Sequence, residues 1–149
     1  MSWIMKPASP RHLPEILRIE EETFPDPWSE HMLISCIANP TVLFPVAIEG
    51  EGILGFAVLQ LIGPEAELQN IAVDKEAKRR GIGRGLLTHL IQEGEARGVE
   101  AFHLEVRASN EAAIALYGAL GFQAAGLRRD YYQSPPEDAL IMTRRRMSP

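Results

Sequence analysis

Two stretches of this sequence gather residues that could do chemistry. The first is KRRGIGRG, residues 78–85, where three glycines and four cations sit between a strand-like run, LQNIAV, and a helix-like run, LLTHLIQEGEAR. Glycines after a strand permit unusual torsions and let a ligand approach the backbone closely. At a helix start several amide N–H groups lack an intrahelical acceptor, and the macrodipole adds partial positive charge. Lys78, Arg79, Arg80 and Arg84 place full charges around Gly81, Ile82 and Gly83. The stretch therefore reads as a cradle for pyrophosphate. A Walker A loop needs Lys then Ser or Thr after its last glycine, and the dinucleotide fingerprint needs G-x-G-x-x-G; neither is present. Taken alone, the motif also fits a glycine-rich helix entry on a basic patch.

The second stretch, LEVRASNEAAIALYGALGF, holds Glu105, Asn110 and Tyr117. A carboxylate can take a proton from an attacking group, and a phenol can give one to a leaving group. Each residue also has a plainer reading. Glu105 fits a solvated strand end, Asn110 a helix cap, and Tyr117 a core residue sharing a helical face with Ala113, Leu116 and Leu120. Residue types alone leave those alternatives open.

The elements that must hold these residues follow from periodicity and punctuation. WIMKPA reads as a first strand. Ser9 caps a helix with Pro10 at its first position, running to about Glu22, and Ser29 caps a second that ends near Asn39-Pro40. The two prolines of FPDPW break the chain between them. TVLFPVAIE then turns at GEG into ILGFAVLQLI, a hairpin signal, and AELQNIAV follows. KRRGIGRG opens a helix with Leu86, Leu87, Leu90 and Ile91 on one face and Gly98 as its stop. EAFHLEV is the next strand and SNEAAIALYGALGF the next helix. FQAAGLRR and DALIMTRRR close the fold as two strands around a loop containing YYQSPPE. The order predicts a mixed sheet with helices on its faces, an α/β (α+β) class, in one domain spanning residues 1–149.

Composition narrows the function classes. The 149 residues are 46% hydrophobic and 23% charged, an ordinary globular balance. A net charge of −5 disfavours broad attraction to nucleic acid or an anionic membrane, so any anion site must be local. The lone Cys36 excludes an intrachain disulfide and suits a reducing compartment. It is expected as a buried small hydrophobe on a helix face with Met32, Leu33 and Ile37. The N-terminus lacks the apolar segment of a signal peptide, no run is long enough to span a bilayer, and a soluble cytoplasmic protein is expected. His12, His31, His89 and His103 show no metal-ligand spacing, so no metal is expected.

NIAVDKEAKRRGIGRGLL closely resembles the acetyl-CoA motif of the GNAT N-acetyltransferases, Q/R-x-x-G-x-G/A, with Lys78 where the pattern prefers Gln or Arg. The resemblance implies a single-domain GNAT fold: a mixed, mostly antiparallel sheet of six to seven strands flanked by about four helices. Two central strands are splayed to bind acetyl-CoA. It implies that Ile71, Ala72 and Val73 line the pantetheine arm, and that Arg79, Arg80, Gly81, Ile82, Gly83 and Arg84 cradle the phosphates. FPDPWSE, NIAVD, LEVRASNEAAIALY and RRDYY look like the RimI-type branch, the ribosomal-protein-alanine N-acetyltransferases, with similarity over roughly residues 3–146. By that similarity Glu105 is the proton acceptor, Tyr117 the proton donor and Asn110 a CoA contact. Direct attack in a ternary complex is expected, without an acyl-enzyme on Cys36.

The implied acceptor is a protein N-terminus, the N-terminal alanine of small-subunit ribosomal protein S-eighteen. An α-amine, with a reference pKa near ~8 against ~10.4 for lysine, is easier to deprotonate near neutrality. A glutamate's reference value near ~4.3 makes it a weak base, which leaves room for an ordered water between Glu105 and the amine. Lysines, a broader set of N-termini or a small amine are alternative acceptors. A non-catalytic CoA-binding module and a nucleotide-phosphate binder are the readings outside this chemistry. Two walls of a peptide groove are expected: Trp28 before the second helix, and Tyr131 and Tyr132, which the resemblance places on the substrate side. Trp28 could equally staple its helix, and the tyrosines could cap the sheet. Glu20, Glu21 and Glu22 are expected as a solvated face, and Arg144 to Arg146 as the polar end of the last strand. The oligomeric state is left open.

Overall fold

A computed structural model describes residues 2–146; Met1 and residues 147–149 of the expected 1–149 domain lie outside the described residues. In chain order the elements are β1 (Ile4–Pro7), α1 (Leu13–Thr23), α2 (Glu30–Ala38), β2 (Val42–Leu43), β3 (Pro45–Glu49), β4 (Gly52–Ile62) and β5 (Glu65–Val73). Then come α3 (Ile82–Ala96), β6 (Ala101–Arg107), α4 (Glu111–Ala119), β7 (Gln123–Gln133) and β8 (Pro136–Arg145). The first helix enters through a 3-10 turn, Pro10–His12, behind Ser9.

The strands form one sheet in the order β1-β3-β4-β5-β6-β8-β7, with β2 beside β4. Every pairing is antiparallel except β5 with β6. The described sheet has eight strands rather than six to seven because TVLFPVAIE is split. Leu43 pairs with Leu59 and Val46 with Phe56, so the register is unchanged across the gap. Pro45 has no N–H to donate to the ladder there.

A larger departure lies at the C-terminal hairpin. The tyrosines expected on a loop are on β7, which runs to Gln133, and only Ser134 and Pro135 separate it from β8. The register shifts between Arg128 and Tyr132, where Asp130 takes φ +53° and its N–H is accepted by Asp138 Oδ1 at 2.8 Å. This bulge lets the strand continue past a residue that would otherwise end it.

Helices cover both faces. Ile16, Ile19 and Leu33 of α1 and α2 pack on Phe44, Val46, Phe56 and Val58. Leu86, Leu87 and Leu90 of α3 pack on the other face with Ala57, Leu59, Phe102 and Leu104, joined there by Tyr117 of α4. Strand alternation divides β6 between the two faces. Phe102, Leu104 and Val106 are buried on the α3 side, and His103, Glu105 and Arg107 are only partly buried on the other.

One buried contact ties α3 to β6. A Cβ added at Gly94 would meet Phe102 Cε2 and Cζ at 2.8 Å. Phe102 is 2% exposed and has nowhere to move. Ala is favoured over Gly in a helix by about 1 kcal/mol, but overpacking a full core costs about 1–3 kcal/mol. Gly94→Ala is expected to lower stability by up to about 2 kcal/mol. Chemical denaturation checks this; a stabilised variant would show that β6 shifts freely.

Candidate active site

β5 and β6 pair only from Glu65 to Glu67, against Ala101 to His103. Beyond that the two strands part, although β5 continues to Val73 and β6 to Arg107. A bulge in β5 accompanies the parting: Val58 faces Asn70 while Leu59 faces Leu68, leaving Gln69 extra. The opened edge therefore carries Ile71, Ala72 and Val73, whose backbone is free on the β6 side to pair with an extended ligand. Ala72 is buried, so its contribution is backbone only.

The glycine-rich turn lies at the end of that edge. Arg79 (φ +68°) and Gly81 (φ +80°) are both left-handed, and Gly81 is the N-cap of α3. The first bond across the cap is Gly85 N–H to Gly81 O at 2.9 Å, so the amides of Ile82, Gly83 and Arg84 have no intrahelical acceptor. Lys78, Arg79 and Arg84 are exposed beside them. Two expected cradle residues contribute less by side chain than anticipated. Ile82 is buried in the core, and Arg80 is held bidentately by Glu49 at 2.7 and 3.0 Å. The third glycine serves packing rather than phosphate: a Cβ at Gly85 would meet Trp3 Cη2 at 2.3 Å.

On the α2 side of the parted strands is an open groove of about 570 Å³. It brings together Glu105, Trp28, Tyr131 and Tyr132, which the sequence offered from three separated stretches. Glu105 is partly buried, and its Oε2 has no hydrogen-bond donor. Arg128 Nε pairs with that oxygen from a side chain 60% exposed. Tyr131 and Tyr132 stack edge to face at 5.0 Å, and Arg107 lies 4.3 Å over the Tyr132 ring. Burial, and then the Glu105 carboxylate, push the Tyr131 phenol up.

Tyr117 and Asn110 do not line this groove. Tyr117 is 6% exposed on the α4 side, edge-on to Phe122 at 5.8 Å. Burial first, and Tyr132 second, push its phenol up to about 12. Tyr117 packs in the core with Phe102, Leu104 and Val106 of β6, on the face of the sheet opposite the groove. Asn110 caps α4, accepting from Ala113 N–H at 3.2 Å.

Sequence reasoning missed several residues of the groove. Met32 and Cys36 were expected to be buried with Leu33 and Ile37, yet only Leu33 is fully buried. Met32, Ser35 and Cys36 line the groove with His31. Met32, Ser35 and Cys36 follow helical spacing within α2, the signal that could have found this face. Burial pushes the Cys36 thiol up, away from thiolate character. Glu21 and Glu22 are exposed as expected, but Glu20 falls at i+7 from Leu13 on the apolar stripe and is 1% exposed. Its carboxylate accepts from Trp28 N–H at 2.9 Å and from Asn70 Nδ2 at 2.7 Å. Burial raises its carboxyl while those two bonds pull the other way. Arg144 is not simply a polar strand end, because it donates to Leu120 O and pairs with Glu95 at 2.7 Å.

The chain resembles known proteins along most of its length. Residues 13–122 match the model of the acetyltransferase (GNAT) family. The chain is 47% identical over 132 residues to the [ribosomal protein bS18]-alanine N-acetyltransferase of Escherichia coli (strain K12), covering 87% of this chain and 88% of that one. It is 40% identical over 123 residues to the N-alpha-acetyltransferase RimI of Mycobacterium tuberculosis (strain ATCC 25618 / H37Rv), covering 80% and 76%. The crystal structure of the ribosomal-protein-S18-alanine N-acetyltransferase from Escherichia coli superposes with a TM-score of 0.91 at 41% identity, over 99% of this chain and 97% of that one. With its parted strands and a helix start whose glycine cap leaves the first amides free, the chain belongs to the GNAT family of acetyltransferases.

Proposed function

We propose that this acetyltransferase moves acetyl from acetyl-CoA to the N-terminal α-amine of a protein, the N-terminal alanine of ribosomal protein bS18. The observation that carries the reading is Glu105, a partly buried carboxylate inside a groove walled by Trp28, Tyr131 and Tyr132. The groove is open to solvent, and it is lined by Leu68 and Gln69 of β5 and Glu105 of β6, where the two strands have parted. The relatives named for alanine N-acetylation support the choice of acceptor.

In this mechanism the backbone edge of Ile71 to Val73 pairs with the pantetheine arm. The amides of Ile82, Gly83 and Arg84, with the charges of Arg79 and Arg84, hold the pyrophosphate. Acetyl-CoA supplies an activated thioester. Glu105 takes the proton of the acceptor ammonium, directly or through one water, and the freed amine attacks the acetyl carbonyl. The C–N bond forms and the C–S bond breaks, the nitrogen gives its second proton to solvent, and Tyr117 stabilises the departing sulfur until solvent protonates it. Asn110 orders the start of α4 beside the CoA. Trp28, Tyr131 and Tyr132 hold the acceptor backbone. The chain acts as one domain over residues 1–149, in the cytoplasm, on a protein substrate. Among the described residues no helix is long and apolar enough to cross a membrane, and no cluster of His, Cys, Asp and Glu is placed to hold a metal.

The test is acetyl transfer to a short peptide beginning with the acceptor's alanine, beside the same peptide with a blocked N-terminus and an internal lysine. Turnover of the free N-terminus alone is expected. Acetylation of the blocked peptide would instead assign the enzyme to lysine. Binding of CoA without turnover of any acceptor would favour a non-catalytic module.

A further inference from the structure

Glu20 lies outside the groove, yet its two hydrogen bonds reach both walls of it. One goes to the backbone of Trp28, the first residue of the α2 wall. The other goes to Asn70, next to Gln69 at the bulge that makes the opposite wall of β5. Asn70 is itself 7% exposed, so this bond is also shielded from water. No described cation pairs with the Glu20 carboxylate, whereas Glu15, Glu49, Glu95 and Glu137 each hold an arginine. A buried carboxylate held only by neutral donors is costly as a stabilising device, because apolar side chains of that size would fill the position at lower cost. What an apolar side chain could not do is fix the Trp28 backbone relative to the bulged strand.

We propose that Glu20 is a positioning residue for the acceptor: it sets the width of the groove by fastening the Trp28 wall to the β5 bulge. The proposal rests on the groove being the acceptor site. It has no contact with the reacting atoms and no link to the cradle at Arg79–Arg84. Its loss therefore acts on acceptor binding and not on acetyl-CoA binding.

Glu20→Ala leaves Trp28 N–H and Asn70 Nδ2 buried without acceptors. The expected result is a rise in acceptor KM of about tenfold or more with acetyl-CoA KM within about twofold. Glu20→Gln is the rescue: its Oε1 accepts from Trp28, and Asn70 can turn its amide over to accept from the new NH2. Acceptor KM should return to within about threefold of the parent. Asn70→Ala cuts only the β5 arm and covers the case in which Glu20→Ala does not fold. It should raise acceptor KM by a smaller factor. Amide exchange read beside the kinetics should quicken at residues 28–36 in Glu20→Ala and stay unchanged at residues 79–84. Equal changes in both KM values, or an unchanged acceptor KM in both Glu20→Ala and Asn70→Ala, would overturn the proposal. So would a collapse of kcat in Glu20→Gln, which would make the residue a proton carrier. Kinetics are read with whichever acceptor the parent turns over best, so a wrong acceptor assignment appears in the parent alone. If the parent turns over none, the exchange pattern decides.

Discussion

Glu105→Gln is expected to lower kcat at neutral pH by about 10²–10⁴-fold while leaving acetyl-CoA KM within about threefold. The substitution keeps size and shape and removes only the ability to accept a proton. Little stability should change. Among the described residues Glu105 pairs with Arg128, whose side chain is 60% exposed, and such pairs contribute less than about 1 kcal/mol. The cradle is untouched, because Glu105 lies on the α2 side of the sheet and the free amides lie at the start of α3. The deficit should also depend on pH. Without an internal acceptor the variant can use only amine that is already neutral. Its rate should therefore rise about tenfold per pH unit until the α-amine reference value near ~8. The gap to the parent should narrow as pH rises toward that value and level off above it. Steady-state kinetics from pH 6 to 9, with a thermal melt to confirm the fold, decide this. A variant within a few-fold of the parent at pH 7 would move the proton-accepting role elsewhere in the groove.

The sequence made the cofactor side more legible than the acceptor side. KRRGIGRG announces itself because glycine, cation and helix start are local features, and the structure places all three within one turn. The parting of β5 and β6 came only from resemblance. Strand pairing is a long-range property, and nothing within AELQNIAV or EAFHLEV says that pairing stops at Glu67 and His103. The groove's α2 wall was missed because Met32 and Cys36 read as core by hydrophobicity, while the parted strands leave that helix face with less sheet to cover. Glu20 was misread through its neighbours: three glutamates in a row suggest solvent, yet the helical period puts the first of them inside. Tyr131 and Tyr132 were placed on a loop containing YYQSPPE between the last two strands. Asp138 satisfies the amide of Asp130, and the strand continues through the bulge.

Tyr117→Phe is the second large effect, and the burial of Tyr117 decides how the residue works. With its phenol at about 12 and a thiol's reference value near ~8.5, full proton transfer to the departing thiolate is uphill by about 5 kcal/mol. A hydrogen bond from the phenol to the sulfur carries no such cost. Tyr117 therefore acts as a fixed donor to developing negative charge, and solvent completes the protonation. Removing one donor of this kind costs about 10²–10³-fold in kcat. That is the expected loss for Tyr117→Phe, with both KM values nearly unchanged. The raised value also has a stability consequence with a definite sign. The folded state holds the phenolic proton more tightly than the unfolded state, whose tyrosine titrates near ~10. The resulting contribution is present below pH ~10 and is lost as pH rises through about 12, by an amount on the order of 2–3 kcal/mol. Tyr117→Phe should therefore keep more of its stability than the parent does between pH 10 and about 12, while being the poorer catalyst at every pH below. Denaturation midpoints across that window, set beside kcat at pH 7 to 9, test both halves. If the variant lost kcat but followed the parent's alkaline stability curve, the phenol would be exposed enough to titrate normally. Complete proton transfer to sulfur would then be the better mechanism.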